Sequence, residues 1–255
     1  MLGVDWQGLL TGIRAAWRRE ISAYFATPLA YVFVAIFLLV LGIFTWDLSR
    51  FFDTGAADLG PFFYWHPWLF MLFMPALAMR LWAEEASQGT SELLLSLPVS
   101  LSGFVIGKLL AAWTVATIAL VLTFPWWVTV NILGPADNPA IALTYFVSLI
   151  MAGGYLAIGA AVSALTRSAV LAFVIGVLVA FILTAAGWPL VSGAIADALG
   201  PAAGDAVAQF SFVTHFETAQ RGVLELRGVF FFMGFIALCV ALNTLFISQR
   251  RGGAQ

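Results

Sequence analysis

The sequence contains very little charge. Of its 255 residues, 11 are Lys or Arg and 13 are Asp or Glu, whereas 62% are hydrophobic, and the mean hydropathy is +1.01. A chain of this composition has too little polar surface to cover a water-soluble globule of its length. The composition therefore excludes a soluble globular domain and predicts a membrane protein. The net charge of −2 averages over the two sides of a membrane, so it indicates no particular partner, and we expect no nucleic acid.

Residues that carry chemistry are equally scarce. Cys239, the one cysteine, lies in an apolar run, which excludes a thiolate metal cage and an internal disulfide. The two distant histidines, His66 and His215, cannot form the HExxH pair of a zinc protease, and no GxSxG motif is present for a serine nucleophile. His66 lies among aromatic residues and is expected to be a polar group at a membrane interface. We expect this chain to hold no catalytic residue, no metal and no cofactor.

The single lysine, Lys108, lies in the stretch SGFVIGKLL. A phosphate-binding loop of the pattern GxxxxGK[ST] would need a glycine at Ser102 and a hydroxyl at Leu109, and no soluble strand precedes the stretch. The sequence therefore lacks the loop with which many proteins bind ATP. Any nucleotide hydrolysis has to come from another polypeptide.

Six charge-free runs predict the fold. Each is long enough to supply the roughly 20 apolar residues that cross about 30 Å of hydrocarbon, and a helix satisfies its own backbone hydrogen bonds there. We therefore predict an all-α membrane protein with six transmembrane helices. The runs are Ile21–Trp46, Leu59–Met79, Leu109–Ala136, Asn138–Thr166, Ser168–Ala196 and Gly228–Gln249.

A single domain over residues 1–255 is predicted, without internal repeats. Its parts are an N-terminal amphipathic helix at 1–27, transmembrane helix 1 at 28–50, helix 2 at 62–83, a cytoplasmic segment at 84–100, helix 3 at 104–132, helix 4 at 140–165, helix 5 at 168–189, short outer helices at 190–227 and helix 6 at 229–248. The basic residues predict the orientation. Placing the N-terminus in the cytoplasm puts 8 of the 11 basic residues inside, so both termini are expected there.

Two features leave alternatives open. Segment Asp5–Phe25 has apolar residues at helical spacing and arginines on its other faces, which predicts an amphipathic helix in the inner interface. The alternative is a cytoplasmic extension of the first transmembrane helix. Small residues at every fourth position of helices 4 and 5 allow close helix packing, either at a dimer seam or within the subunit. They are Gly153, Ala157, Ala161, Ala172, Gly176, Ala180 and Thr184.

The stretch RLWAEEASQGTSELLLSLPVS is a compact charged patch between two apolar runs. Gly89 can end one helix in the left-handed conformation, and Thr90 can cap a second helix that Pro98 stops. This second helix, Ser91–Leu97, would present an apolar ridge that suits a groove on a cytoplasmic partner. The alternative is an interfacial helix whose leucines rest in lipid. The ridge consists of Leu93, Leu94 and Leu97.

This patch resembles the cytoplasmic segment of type-2 ABC transporter (ABC-2) permeases, particularly the gliding-motility-associated subfamily, in which a form close to EExxxGTxELLLxxP recurs. The matching residues are Glu84, Glu85, Gly89, Thr90, Glu92, Leu93, Leu94, Leu95 and Pro98. The stretch HFETAQRGVLELRGVFFF is similar to the outer segment of the same subfamily, with His215, Arg221, Gly222 and Val223 in place. The sequence departs from that pattern at Gly228, where the subfamily has an acid.

The resemblance implies a half-transporter in the bacterial inner membrane, which is an exporter by analogy with the family. Two permease subunits, identical or related, would face each other above two cytoplasmic ABC ATPase subunits that bind ATP and Mg²⁺. It implies that the N-terminal helix is the connecting helix, that Ser91–Leu97 is the coupling helix, and that residues 187–227 form outer re-entrant helices. Membrane lipid and a periplasmic or envelope partner are also expected.

Three hypotheses for the function follow. The first is an ABC permease. The second is a channel or an ion-coupled carrier, although such carriers usually have acids in mid-membrane and here the acids lie near the ends of the apolar runs. The third is an assembly subunit that uses the same ATPase to act on an envelope partner without moving a solute. The sequence does not rank lipid, peptide, polysaccharide or metal-related cargoes.

Overall fold

The computed structural model describes residues 6–55, 57–89 and 100–252, and no β-strand occurs in these ranges. The helices are α1 (Trp6–Ala26), α2 (Leu29–Ile43), α3 (Gly60–Tyr64), α4 (His66–Ala78), α5 (Arg80–Ser87), α6 (Leu101–Val121), α7 (Phe124–Leu133), α8 (Asn138–Ser163), α9 (Ala169–Ala185), α10 (Pro189–Leu199), α11 (Pro201–Gln209), α12 (Phe212–Gln220) and α13 (Leu226–Gly252). A π-helical turn, Phe44–Leu48, extends α2, and a short 3₁₀ turn, Phe51–Thr54, follows it.

The chain is an all-α membrane protein, as its composition predicts. Within the described residues, four helical segments are long and apolar enough to cross a membrane, and α9 with α10 makes a fifth if that pair, bent by 70°, counts as one span. The number six stays a prediction, because the predicted helix 2 is divided into α3, α4 and α5. The four segments are Leu29–Asp53, Leu101–Leu133, Asn138–Ser163 and Leu226–Gln249.

Prolines account for several of the helix breaks. Pro67 lies in the first turn of α4, Pro125 in the first turn of α7 and Pro189 in the first turn of α10. Proline has no backbone N–H and cannot bond to the carbonyl four residues earlier, so it is tolerated in a first turn and interrupts a longer helix. The predicted helix 3 is accordingly divided at Leu122 and Thr123, between α6 and α7.

Helix α8 lies at the centre of the bundle and packs against α4, α6, α9, α12 and α13. Its small residues permit the close approach. A Cβ on Gly153 would lie 2.5 Å from the Trp113 ring of α6, and one on Gly159 would lie 3.0 Å from Cα of Pro75 in α4. A Cβ on Gly176 of α9 would lie 3.2 Å from Cβ of Pro75. The stripe residues Gly153 and Gly176 therefore serve contacts within the subunit, which is the second of the two alternatives.

Helix α1 is separate from α2 and packs along α6. Thr27 and Pro28 divide α1 from α2. A Cβ on Gly103 would lie 2.6 Å from the carbonyl oxygen of Leu9, and one on Gly107 would lie 2.5 Å from that of Ile13. The glycines of the SGFVIGKLL stretch thus form a small-xxx-small packing face of the kind that lets two helix backbones approach.

His66 lies inside the bundle and not on its surface, whereas its position relative to a membrane interface stays a prediction. Its side chain is fully buried, its Nδ1 lies 2.9 Å from Oγ of Ser148 in α8, and its ring stacks on Phe70. Several of the aromatic residues around it pack against one another between α3, α4 and α8. A buried polar group of this kind needs a hydrogen-bond partner, and Ser148 supplies one.

Because α1 and α6 are in tight contact, two glycine-to-alanine substitutions should differ in their effect on the stability of the protein. Gly107→Ala is expected to displace α1, at a cost of about 1–3 kcal/mol for overpacking, because the new Cβ would lie 2.7 Å from Cβ of Ala16. Gly234→Ala is the matched control, since no atom lies within 4 Å of its Cβ position. Thermal unfolding in detergent should show a lower midpoint for Gly107→Ala alone. Equal midpoints would contradict a backbone contact between the helices.

Candidate functional site

The predicted partner-binding residues that the structure describes lie at one end of the bundle, where α1, α5 and the start of α6 meet; we call it the charged end. Glu84 and Glu85 lie on α5. Gly89 follows this helix with a φ of 70°, which is the left-handed conformation predicted for its cap. The remaining residues of the predicted site lie outside the described residues; they are Thr90, Glu92, Leu93, Leu94, Leu95, Leu97 and Pro98.

Lys108 of α6 is the most deeply buried charge at this end, with a side chain only 1% exposed. Its Nζ lies 2.9 Å from Oε1 of Glu20 in α1 and 2.9 Å from Oε1 of Glu85 in α5. It also donates to the carbonyl oxygen of Leu81 at 2.5 Å. Its ammonium lies 4.7 Å from the centre of the Trp82 ring, close enough for a cation–π contact. One side chain thus joins three helices.

Arg19 adds a second positive charge to the same group. Its guanidinium donates to Oε1 of Glu20 at 3.0 Å and to Oε1 of Glu85, and it lies over the Phe104 ring. Two cations therefore face two carboxylates whose side chains are only 13% and 12% exposed. Buried charges persist when they are paired and hydrogen-bonded. We call Arg19, Glu20, Glu85 and Lys108 the ion cluster.

Glu84, although adjacent to Glu85, faces a different partner. Nε and Nη2 of Arg80 donate to its two carboxylate oxygens at 2.6 and 2.9 Å. The hydrogen bond from Arg80 holds the pKa of the Glu84 carboxyl below its usual range, so the group stays ionised. Both side chains are about a third exposed, and pairs of this kind contribute little to stability. Of the two neighbouring acids, only Glu85 belongs to the buried cluster.

Ser163, the last residue of α8, holds the start of α5. Its fully buried hydroxyl accepts from the backbone N–H groups of Trp82 and Ala83 at 3.1 and 3.0 Å. It donates to the carbonyl oxygen of Met79 at 2.7 Å. The first N–H groups of a helix lack partners within the helix, and this serine supplies them from the central helix of the bundle.

The helices on either side of the undescribed residues 90–99 are joined by an ion pair. Glu85 of α5 precedes these ten residues and Lys108 of α6 follows them, and the two side chains pair. Together with the pair to Glu20, this connects α1, α5 and α6 to one another. Within the described residues, no group of three or more His, Cys, Asp or Glu side chains is placed to hold a metal ion.

The residues of the outer motif lie toward the far end of α8, a helix of 26 residues and hence about 39 Å long. His215 is buried, its Nε2 lies 2.9 Å from the carbonyl oxygen of Gln209 and its ring stacks on Phe231. Arg221 and Val223 are exposed, and Gly222 has a φ of 74°. His215 thus links α12 to the start of α13, whereas Arg221 is free to face solvent.

Sequence reasoning missed the ion cluster. Lys108 drew attention only through its failure to match a phosphate loop, Arg19 belonged to the arginines of the amphipathic helix, and Glu20 was not singled out. One available signal was that a lone lysine near an apolar run requires a counter-charge in a membrane. The partners themselves are 88 and 23 positions away, so no local pattern identifies them.

Comparison with known proteins identifies one family. A model described as ABC-2 family transporter protein matches residues 68–247, which is more than two thirds of the chain. The match begins within α4 and ends near the end of α13, so it includes Glu85, Lys108 and the undescribed segment between them. No curated protein matches the chain.

The ion cluster predicts a large effect for the removal of its central charge. Lys108→Met would leave two buried carboxylates with one cation, and breaking a buried pair in this way costs about 3–5 kcal/mol. The same change at the partly exposed Arg80, Arg80→Met, should cost at most about 1 kcal/mol. Unfolding of both variants by denaturant in micelles measures the difference. Adding Glu85→Gln to Lys108→Met should restore part of the loss, and similar stabilities for Lys108→Met and Arg80→Met would refute the cluster.

The hydroxyl of Ser163 predicts a local effect on α5. Ser163→Ala leaves the N–H groups of Trp82 and Ala83 without this acceptor, and an unsatisfied buried donor costs about 1–3 kcal/mol. Hydrogen exchange at these two amides should become faster than in the parent protein. Ser248→Ala is the control, because Ser248 bonds only to a carbonyl of its own helix. Unchanged exchange at both amides would show that Ser163 does not hold α5.

Proposed function

Because the chain belongs to the ABC-2 family of transporters, we propose that it is the membrane permease subunit of an ATP-binding cassette exporter in the inner membrane. The family provides the membrane component of an ABC transporter, whose partner is a cytoplasmic ABC ATPase. In the proposed complex, two ATPase subunits bind ATP and Mg²⁺, and a second permease copy or a related subunit completes the pathway. In this proposal the nucleotide is bound by the ATPase subunits, because the chain itself lacks the phosphate-loop pattern GxxxxGK[ST].

One observation carries the proposal. The segment 84–100, whose sequence resembles a coupling segment, begins at one member of the ion cluster and leads to another, Glu85 and Lys108. We infer that a partner bound to this segment would act on all three helices that the ion cluster connects. A flexible loop without such anchors would absorb the movement of an ATPase instead of passing it on.

The connection continues from the cluster into the bundle. Helix α5 is bonded to Ser163 at the end of α8, and α8 packs against five other helices. A chain of packed and hydrogen-bonded elements of this kind can carry energetic coupling between distant sites. The coupling also requires that the ATPase contact the segment differently in its two nucleotide states.

Finer assignments extend the proposal. We place the charged end and both termini in the cytoplasm, supported by the distribution of basic residues along the chain. We also assign the chain to the gliding-motility-associated subfamily, supported by the motif from Glu84 to Pro98. Within that subfamily the chain would act either on a transported solute or on an envelope partner, and flux measurements separate the two.

The proposal predicts that the leucine ridge binds the ATPase. Replacing Leu93 and Leu94 by alanine together with Glu92→Gln should abolish copurification with a nucleotide-binding subunit, because apolar ridges of this kind bind in partner grooves. The matched control replaces Leu165 by alanine together with Arg167→Gln, in the loop after α8, where Leu165 is also exposed. This control should retain the ATPase.

The outcomes of this experiment are distinct. Retention of the ATPase by the ridge variant would place its binding site elsewhere. Solute flux in liposomes without any ATPase would overturn the proposal in favour of a channel or an ion-coupled carrier. ATP-dependent assembly with an envelope protein, without solute flux, would identify the force-transmitting function.

A further inference from the structure

A second feature of the molecule is a cavity of about 490 Å³ at the end of the bundle opposite the charged end. It lies between α3 and α4 on one side and the bend between α9 and α10 and helix α12 on the other. Its volume falls within the range of about 300–1,000 Å³ that is usual for small-molecule sites. The walls combine aromatic rings with charges of both signs. None of these groups belongs to the ion cluster.

The charges that line the cavity do not pair with each other. Glu217 of α12 precedes Arg221, the residue that follows this helix, by four positions, an order that favours an ion pair on a helix. Within the described chain, however, neither side chain forms an ion pair or a side-chain hydrogen bond, although both line the cavity. Asp58 also lines it, and one of its oxygens accepts from the N–H of Gly60 at 2.9 Å. At the charged end, by contrast, Glu20, Glu84 and Glu85 all face cations.

The aromatic wall is built at a helix bend. The rings of Trp68 in α4 and Trp188, between α9 and α10, lie 5.2 Å apart, and Trp188 is 46% exposed. The 70° bend at this point leaves the wall open to the cavity instead of covering it with a continued helix. Tryptophan faces attract cations, and tryptophan is common where a protein meets lipid head groups.

We propose that this cavity binds a zwitterionic head group in which an ammonium and a phosphate are separated by a few atoms. The ammonium would lie beside Asp58, Glu217 and the tryptophan rings. The phosphate would face Arg221, whose planar guanidinium can donate two parallel hydrogen bonds to it. The proposal goes beyond the permease function and needs no ATPase, so either can fail without the other.

The charge balance of the cavity disfavours simpler ligands. Two carboxylates against one guanidinium repel a purely anionic group, and a purely cationic group would leave Arg221 without a counter-charge. Selectivity of this kind arises from unfavourable contacts with the wrong ligand as well as from favourable contacts with the right one. A ligand that carries both charges can pair its cation with the carboxylates and its anion with the guanidinium.

The test is ligand binding by the purified full chain in detergent. The probes are phosphatidylethanolamine, phosphatidylglycerol and the water-soluble glycerophosphoethanolamine, with bound lipid measured by native mass spectrometry and the soluble probe by calorimetry. Arg221→Gln and Glu217→Gln should each weaken the binding of phosphatidylethanolamine by at least about tenfold, as expected for the loss of a charge-assisted contact. The matched controls are Arg227→Gln and Glu225→Gln, two exposed charges of the same segment that do not line the cavity.

Trp188→Leu provides a second variant at an exposed ring, in case a charge substitution lowers thermal stability, and it too should weaken binding. Binding of both phosphatidylethanolamine and glycerophosphoethanolamine would support the proposal with a free head-group compound as the source. Binding of the lipid alone would support it with the membrane as the source. Equal binding of phosphatidylglycerol, or equal affinity in the cavity and control variants, would overturn it.

Discussion

The burial of one ammonium group organises the charged end of this protein. A lysine that is 1% exposed is stable only where counter-charges reach it, and Lys108 obtains them from two other helices. Helices α1 and α5 must therefore converge on α6. The glycines Gly103 and Gly107 make the convergence possible, because they let the backbone of α1 approach α6 more closely than any side chain would allow.

This constraint separates two kinds of residue that look alike in sequence. Glu84 and Glu85 are neighbours, yet one pairs with Arg80 at the surface and the other is part of the buried cluster. Only Glu85 connects the end of α5 to the other helices of the bundle, through its ion pair with Lys108. The hydrogen bonds of Ser163 connect α5 to the central helix α8 as well, so the charged end is bonded to the core in spite of the helix breaks around α5.

The composition and the local sequence patterns predict the class of the protein and the end of one of its helices. The all-α membrane fold follows from the scarcity of charge, and the left-handed conformation of Gly89 follows from the freedom of a residue without a Cβ. The partners of Lys108 and the burial of His66 were not predictable, because periodicity shows which face of a helix is apolar and not which helix covers it. For the same reason the small-residue stripes could not be assigned to a contact before the packing was known.

The separation of the ion cluster along the chain has a consequence for biosynthesis. Glu20 emerges from the ribosome 88 residues before Lys108, so α1 is made long before its docking surface on α6 exists. The ion pair can form only once residue 108 has been synthesised, so the docking of α1 on α6 cannot begin before more than 40% of the chain has been made.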